Sequence, residues 1–416
     1  MPPRDVRRDC PYCGNTVVLD ECPIVCTATA VLPGSSSLNG SASTAFDAGF
    51  ADTADDTQAA GPPSGATVYG RLGKYPVIHP SRTPSRKDRL ARAMTQLTPV
   101  EQRGDPRDLP RRACPNCFAA LPAAMDLHDA YILSVVGLNR AGKTYFLGST
   151  LYAATRNDAL APYGIESVTP LGDTAQRLHT QYALPLFNDH VLPTTPRYEH
   201  LERGSLTFRV SMRGGPTFVL VTHDVSGEAL MSENDRAVTA GFVRRADALI
   251  FLADPADMPY VMRQLPNDAS KNAVVTGVDF DRNLNQSALL QVILDELAPS
   301  RRRPRPPLAV TVSKSDLISD SFRRPFRFAQ QTDLVNWQED CRQVHVEVRD
   351  LLAELGENSL VRLADQFGSS SFHAVSVLGP GQVRGTTARP APVRVLDPLG
   401  TVLNWIAHNI TAASGR

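Results

Sequence analysis

The chain has 416 residues and no net charge, because 43 basic residues balance 43 acidic ones. This balance excludes an overall field that would draw the chain to nucleic acid or to a membrane surface. No apolar run approaches the roughly 20 residues that span a bilayer, and the first residues lack a signal-peptide core. We therefore expect a cytoplasmic protein whose seven cysteines are metal ligands or buried thiols rather than disulfides.

Two short cysteine pairs share the form C-P-x-C, namely Cys10-Pro-Tyr-Cys13 and Cys114-Pro-Asn-Cys117. Each pair can place two thiolates on one tight turn, as in a zinc knuckle, and two knuckles complete one tetrahedral Zn²⁺ site. The preferred ligand set is Cys10, Cys13, Cys114 and Cys117, in a structural site.

A second ligand set would replace Cys114 and Cys117 with Cys22 and Cys26. That set is compact and avoids closing a long loop. The long loop of the first set does not exclude it, because the entropy cost of closing a loop grows only slowly with loop length. The absence of any metal is a further alternative. Cys341 stands alone in a helical context and is expected to be a small buried hydrophobe.

Composition divides the chain into three parts. A zinc ribbon is predicted over residues 1–26 and 106–126, and residues 127–412 form the main domain. Residues 27–105 between the two halves of the ribbon are predicted to be a flexible, disordered insertion, rich at first in Ala, Gly, Ser and Thr. The basic stretch 81–112 reads as a solvated linker rather than a nucleic-acid contact, because it lacks aromatic residues for base stacking.

The main domain begins with an apolar strand over residues 131–136, followed by a turn that matches G-x-x-x-x-G-K-[ST]. Gly137 and Gly142 allow the backbone to wrap a phosphate, so that successive N–H groups point inward. Lys143 can reach the β and γ phosphates, and the Thr144 hydroxyl can bind Mg²⁺. A helix over residues 144–156 presents its N-terminus to the anion.

Next in the chain, a helix is predicted over residues 173–184, ended by Pro185, and an antiparallel hairpin over residues 205–210 and 217–222. The second hairpin strand leads into His223-Asp224-Val225-Ser226-Gly227-Glu228. An acid at the end of an apolar strand fits a second Mg²⁺ ligand, Asp224. Gly227 can offer its N–H to a γ-phosphate, and His223 is expected to be packed or at the surface.

A strand over residues 308–312 ends in Ser313-Lys314-Ser315-Asp316. The Asp316 carboxylate can accept two hydrogen bonds from guanine, and adenine would leave this carboxylate unpaired. The stem of Lys314 can lie over the base. Further strands are expected over residues 248–253 and 372–375, and helices near 258–265, 287–297, 334–355, 360–367 and 395–410.

With these motifs in this order, the chain resembles the TRAFAC-type P-loop GTPases, and Ser376-Val377-Leu378-Gly379 resembles the loop that reads guanine O6. The N-terminal cysteine module makes it most similar to the bacterial double-GTPase group, which occurs in multi-gene systems linked to defence or conflict. The resemblance implies a three-layer α/β sandwich with a mostly parallel sheet and one antiparallel edge strand from the hairpin.

The resemblance also implies GTP or GDP and Mg²⁺ as ligands, and it assigns roles to residues. Lys143, Thr195 and Glu228 would be catalytic, and Thr144, Thr195 and Asp224 would hold Mg²⁺, with Thr194 as an alternative to Thr195. Segments 188–200 and 225–240 would be ordered by the γ-phosphate. The nucleotide would contact Gly137, Asn139, Arg140, Ala141, Gly142, Lys143, Thr144, Tyr145, Gly227, Ser313, Lys314, Asp316, Ser376, Val377 and Leu378.

Three residues depart from the pattern of small GTPases. Glu228 stands where many of them have the glutamine that orients water, and Asn139 and Arg140 stand where they often have glycine. These departures favour slow intrinsic hydrolysis. The sequence thus predicts a GTP-hydrolysing switch with a protein partner or regulator. The alternatives are a catalytically weak, nucleotide-gated scaffold that contacts a partner or nucleic acid, and a P-loop ATPase.

Overall fold

The computed structural model describes residues 7–12, 14–19, 22, 24–25, 77–78, 111–112, 114–116, 121–138, 140–156, 158–172, 174–188, 205–264, 285–297, 305–322, 324–379 and 390–414. The chain divides into two compact units. The first contains residues 1–130, 171–173 and 199–203, and the second contains the remaining residues.

The first unit contains short antiparallel strands. Strand β1 (Arg7–Asp9) pairs with β2 (Thr16–Val18), and the turn between them carries Cys10. Strand β3 (Ile24–Val25) pairs on one side with β4 (Val77–Ile78) and on the other with β5 (Arg111–Arg112). The predicted flexible insertion lies outside the described residues, except for β4.

The second unit is built on a seven-stranded sheet with the order β12-β11-β10-β6-β9-β8-β7. Strands β6, β10, β11 and β12 pair in parallel, so their carboxyl ends meet at one edge of the sheet. Strands β7, β8 and β9 pair antiparallel. The strands are β6 (Ala130–Gly137), β7 (Ile165–Pro170), β8 (Leu206–Met212), β9 (Thr217–Ser226), β10 (Ala248–Ala253), β11 (Leu308–Val312) and β12 (Ser370–Ala374).

Helices cover both faces of this sheet. Strand β10 is buried at every position, and its side chains alternate between the two faces, with Phe251 in one core cluster and Ile250 in the other. A strand buried on both faces is typical of a parallel sheet. The helices are α1 (Lys143–Ala154), α2 (Thr174–Arg177), α3 (Gly227–Met231), α4 (Glu233–Arg245), α5 (Pro259–Gln264), α6 (Gln286–Glu296), α7 (Ser315–Ser321), α8 (Trp337–Glu354), α9 (Asn358–Ala364) and α10 (Asp397–Ser414).

The predicted α/β class with a mostly parallel sheet is confirmed, but three local predictions were wrong. The helix that begins with α2 does not end at Pro185, because it continues as a π-helix over Leu178–Asn188. The wider π turn accommodates a residue without an N–H. The hairpin does not form the edge of the sheet, because β7 pairs antiparallel with β8 beyond it. Helices α3 and α4 occupy a segment in which no helix was predicted.

No helix in the described parts of the chain is long and apolar enough to cross a membrane.

Candidate functional site

The phosphate-binding loop follows β6 and is shaped by two glycines. Gly142 precedes α1 with a φ of +80°, a conformation that L side chains rarely adopt. A Cβ atom on Gly137 would lie 2.8 Å from the Leu252 carbonyl oxygen of the neighbouring strand β10. The sequence pattern and the backbone therefore agree that glycine is required at both positions.

The lysine of this loop is folded onto the loop itself. Lys143 Nζ donates hydrogen bonds to the carbonyl oxygens of Gly137 at 2.7 Å and Leu138 at 2.9 Å. Burial lowers the pKa of Lys143, and the nearby charges of Asp224 and Glu228 oppose this shift. The ammonium group is thus close to two carboxylates and faces the interior of the loop.

The two predicted Mg²⁺ ligands within the described residues lie together. Thr144 Oγ1, on the first turn of α1, donates to Asp224 Oδ2 near the end of β9 across 3.3 Å. Burial raises the pKa of Asp224, although the Lys143 charge and the Thr144 hydrogen bond act in the opposite direction. A hydroxyl and a carboxylate are oxygen ligands of the kind that Mg²⁺ prefers, so this donor set fits the ion. Thr194 and Thr195 lie outside the described residues.

Gly227, the glycine three residues after Asp224, is in close contact with the phosphate loop. A Cβ atom on Gly227 would lie 2.8 Å from the Gly137 carbonyl oxygen and 2.6 Å from Leu289 on α6. Gly227 also begins α3, which Ser226 caps by accepting a hydrogen bond from the Ala229 N–H. A shift of α3 would therefore also displace the phosphate loop.

The neighbouring residues that depart from the small-GTPase pattern are partly described. Arg140 has a positive φ of 68°, which fits a position where glycine is often found. Glu228 accepts a hydrogen bond from Ser226 Oγ at 3.0 Å. His223 is buried, and its ring packs 4.5 Å from the ring of Phe242, as expected for a packed histidine. Asn139 is not among the described residues.

The candidate base-reading residues come from the ends of β11 and β12. Ser376 Oγ donates to Asp316 Oδ1 at 2.6 Å and accepts from the Gly379 N–H at 3.0 Å. The Ser315 N–H also donates to the Val375 carbonyl oxygen at 3.1 Å. Ser313 is tied to the end of β10, because its N–H donates to the Ala253 carbonyl oxygen at 2.9 Å. Three adjacent strand ends are thereby joined.

One residue of the site was not assigned by sequence reasoning. Asp254, directly after β10, is 1% exposed and forms an ion pair with Lys314 Nζ. The same carboxylate accepts a hydrogen bond from the Ala256 N–H at 2.9 Å. The sequence signal that could have identified Asp254 is an acidic residue directly after a fully buried strand. The pair fixes the Lys314 side chain beside the candidate base site.

The candidate zinc knuckles are described only in part. Cys10, Cys22 and Cys114 are fully buried, whereas Cys13, Cys26 and Cys117 lie outside the described residues. The turn after β1 closes with a hydrogen bond from the Gly14 N–H to the Cys10 carbonyl oxygen at 2.8 Å. Among residues with described positions, no group of three or more His, Cys, Asp or Glu side chains forms a metal site. The zinc ribbon and its ligand set therefore stay a prediction.

One further contact suits a zinc knuckle. The Asn116 N–H donates to Cys114 Sγ at 3.4 Å, and backbone N–H donors to sulfur stabilise a thiolate. Arg112 is buried beside this turn and pairs with Asp126 at 2.9 Å. This contact at Cys114 fits a thiolate ligand, whereas the Cys22 thiol donates to the Val18 carbonyl oxygen at 3.4 Å.

A phosphate loop, a paired Thr and Asp, and polar loops at the ends of three parallel strands define a P-loop nucleotide-binding domain. The sequence profile of the family described as Double-GTPase 2 matches residues 131–374. The chain belongs to this family, which confirms the predicted relationship and supports the coarse prediction of a GTP-binding switch.

Two individual proteins are similar to parts of the chain. The chain is 26% identical over 316 residues to the proposed ESX-1 scaffolding and assembly protein SaeC of Mycolicibacterium smegmatis, covering 69% of this chain and 77% of that protein. A solved structure of the small GTPase Arl6 of Trypanosoma brucei with a bound nucleotide analogue is 13% identical. That match covers 66% of this chain and 96% of Arl6, with a TM-score of 0.30.

Proposed function

We propose that this protein binds GTP with Mg²⁺, hydrolyses it to GDP and phosphate, and acts as a nucleotide-dependent switch. The observation that carries the proposal is the contact between Thr144 and Asp224 at 3.3 Å, at the same sheet edge as the Asp316–Ser376 pair. The first pair suits a metal-bound triphosphate, and the second suits a guanine base.

The residues of the chain would have the following roles in binding and hydrolysis. Lys143 and the N-terminus of α1 would bind the phosphates. Thr144, Asp224 and Thr195, or Thr194 in its place, would hold Mg²⁺, which would supply positive charge to the phosphate oxygens. Glu228 orients the attacking water, and its negative charge near the γ-phosphate keeps the rate low. Lys314, Asp316 and Ser376 read the base.

The switch would operate through Gly227. A γ-phosphate that accepts a hydrogen bond from the Gly227 N–H would change the packing of α3 between the phosphate loop and Leu289. Helix α3 also contacts α4 and is connected to it by Ser232. The nucleotide state would thus be reported on the surface formed by α3, α4 and α6.

Release of phosphate from GTP by the purified chain tests this proposal. We expect slow turnover with GTP and Mg²⁺ that is abolished by EDTA and by Lys143→Ala, and negligible turnover with ATP. Arg342→Met, which changes an exposed residue of α8, should leave the rate unchanged. If no phosphate is released from GTP, alone or with candidate partners, hydrolysis is excluded.

A nucleotide-gated scaffold is the second candidate function, and the description of the related SaeC protein as a scaffolding and assembly protein favours it. In that case the cysteine module would contact a protein partner, and nucleotide binding would control the contact. Tight GTP binding without turnover, together with a nucleotide-dependent change in partner binding, would support this candidate over the enzyme.

A zinc ribbon belongs to the same proposal. Cys10, Cys13, Cys114 and Cys117 would hold a structural Zn²⁺, with Cys22 and Cys26 as the alternative second pair. The full burial of Cys10 and Cys114 supports the first set, and the equal burial of Cys22 keeps the alternative open.

A further inference from the structure

The loop that carries Ser376 is paired with a later segment of the chain, residues 390–397, which we call the strap. The Ser376 N–H donates to the Val393 carbonyl oxygen at 3.1 Å, and the Val393 N–H donates back to Ser376 at 2.8 Å. The Ala391 N–H donates to the Leu378 carbonyl oxygen at 2.8 Å. The strap therefore fixes the backbone of the candidate base-reading loop on both sides of Val377.

The two segments also approach each other closely. A Cβ atom on Gly379 would lie 2.5 Å from the Ala391 carbonyl oxygen, and Gly379 has a φ of +92°. Such a close fit leaves the loop little freedom to move without the strap. The position of Ser376 therefore depends on what holds the strap.

Arg394 holds the strap from within the protein. Its side chain is 1% exposed, and its guanidinium contacts Asp340 of α8 at 2.5 Å and Asp397 at 2.7 Å. Both carboxylates are also 1% exposed. Arg394 has a positive φ of 56°, a conformation that costs energy for a residue other than glycine and persists only where its surroundings enforce it.

The two carboxylates are fixed by further partners. Asp397 accepts hydrogen bonds from Tyr163 Oη at 2.5 Å and from Thr332 Oγ1 at 2.7 Å. Arg327 Nε donates to Asp340 at 2.6 Å. Burial alone would raise the pKa of Asp340, but the hydrogen bond and charge of Arg394, together with hydrogen bonds from Arg327 and the Asp333 N–H, hold that pKa below its ordinary value. The carboxylate is thus ionised at neutral pH.

A buried ion cluster contributes little to the stability of the fold, because desolvation offsets much of the attraction between its charges. It does fix geometry, since Arg394 Nη2 contacts both carboxylates and each carboxylate is held by further partners. Here the fixed point is one residue from Val393, which pairs with Ser376. Geometry at the base-reading loop is therefore the property that this cluster controls most directly.

We propose that Arg394 is a positioning residue for guanine recognition: by anchoring the strap to Asp340 and Asp397, it holds Ser376 against Asp316. The inference rests on the proposed role of Asp316 and Ser376 in reading guanine. Loss of the anchor frees the loop, and Asp316 loses the oriented hydroxyl that supports its carboxylate. The strap also contacts α1, because Thr150 Oγ1 donates a hydrogen bond to the Val395 carbonyl oxygen at 2.9 Å.

The test measures binding and release of a fluorescent N-methylanthraniloyl GDP by the full chain. Arg394→Lys keeps the charge, but its side chain is one bond too short to place a nitrogen where Arg394 Nη2 contacts both carboxylates. Asp397→Asn keeps an oxygen for Tyr163 and Thr332 but loses the charge. Both variants should raise the dissociation constant about tenfold, as the loss of one hydrogen bond predicts. The increase should come from faster release, and kcat at saturating GTP should stay within about twofold of wild type, because the change affects binding of the base and not the phosphate chemistry.

Two controls separate positioning from general destabilisation. Arg349→Met removes an exposed ion pair with Asp365. Leu352→Ala leaves a cavity in the core cluster that contains Phe251. Neither should change GDP release, although Leu352→Ala should lower the melting temperature. If Arg394→Lys fails to fold, Asp397→Asn decides the question.

Three outcomes are distinguished by including Asp316→Asn in the same series. Weakened GDP binding in the Asp316, Arg394 and Asp397 variants, with normal controls, supports the positioning role. Weakened binding in Asp316→Asn alone, or equal weakening in Leu352→Ala, overturns it and leaves the proposed function intact. Unchanged binding in Asp316→Asn means that the base is not read at this site, so the proposed function fails first.

Discussion

The Ser376 hydroxyl donates a hydrogen bond to the Asp316 carboxylate across 2.6 Å, which joins two loops that are 60 residues apart in the sequence. Each loop alone is a weak indication of a base-binding site. Their contact gives the Asp316 carboxylate a defined orientation at the end of two parallel strands.

The first prediction concerns base specificity. Asp316→Asn keeps an oxygen that can accept the Ser376 hydrogen bond, but it replaces the acceptor of two guanine N–H groups with a mixed donor and acceptor. GDP affinity should fall about 10- to 100-fold, as the loss of hydrogen bonds to a charged group predicts. Affinity for xanthosine diphosphate should rise. Competition titrations with both nucleotides measure the change, and Glu339→Gln, at an exposed position of α8, is the control.

The second prediction concerns the contact between α3 and the phosphate loop. Gly227→Ala places a methyl group 2.8 Å from the Gly137 carbonyl oxygen, so α3 must move. We expect a stability loss of about 1–3 kcal/mol, as overpacking predicts. Binding of a non-hydrolysable GTP analogue should weaken more than binding of GDP, because only the former has a γ-phosphate to engage Gly227.

Gly241→Ala on α4 is the matched control for that variant. Its new methyl group would meet the guanidinium of Arg245, the far end of a flexible side chain, at 3.1 Å. This variant should retain normal selectivity between the analogue and GDP. Equal loss of both nucleotides in Gly227→Ala would contradict a γ-phosphate role for Gly227.

The third prediction concerns zinc. Elemental analysis of the purified chain should find one zinc per molecule, and the double variant Cys114→Ser/Cys117→Ser should lose it. Unchanged zinc in that variant would favour Cys22 and Cys26. Cys341→Ser is the control and should keep the metal, because burial raises the pKa of the Cys341 thiol to about 12 and keeps it protonated.

The fourth prediction concerns acid stability. His373 on β12 is fully buried, and burial lowers its pKa to about 3. Because the unfolded chain binds the proton near pH 6.5 and the folded chain does not, stability is lost as the pH falls below about 6.5. At pH 4.5 this loss amounts to about 2–3 kcal/mol.

His373→Gln should remove most of this acid-dependent loss. Urea unfolding at pH 7.5 and pH 4.5 measures it as a smaller difference between the two pH values than in wild type. A difference equal to that of wild type would show that other groups dominate acid unfolding. His408, which is exposed on α10, provides the control variant His408→Gln.

Much of the sheet could be predicted because its parallel strands are continuous apolar runs. The predicted strand over residues 308–312 coincides with β11, and the predicted strand over residues 248–253 coincides with β10. Strand β7 escaped prediction, since the edge segment Ile165–Pro170 alternates weakly and ends in proline. The π-helix through Pro185 escaped it because the usual rule assumes α-helical hydrogen bonding.

The candidate site was predictable where chemistry follows from local spacing. Gly137 to Thr144 form one motif, and Asp316 lies in another. The anchor at Arg394 was not predictable, because Asp340 is 54 residues away in the sequence, and Tyr163, which donates to Asp397, is 234 residues from Asp397. Without the fold, Arg394 reads as one more basic residue in a proline-rich loop.

The most direct test of the account is calorimetric titration of the nucleotide-free protein with GDP and with ADP, both in the presence of Mg²⁺. The arrangement of Asp316, Ser376 and Lys314 predicts GDP binding at least about 100-fold tighter than ADP binding, as buried polar groups left unpaired by adenine require. Equal affinity for the two nucleotides, or a preference for ADP, would contradict the assignment of this site to guanine and favour a P-loop ATPase.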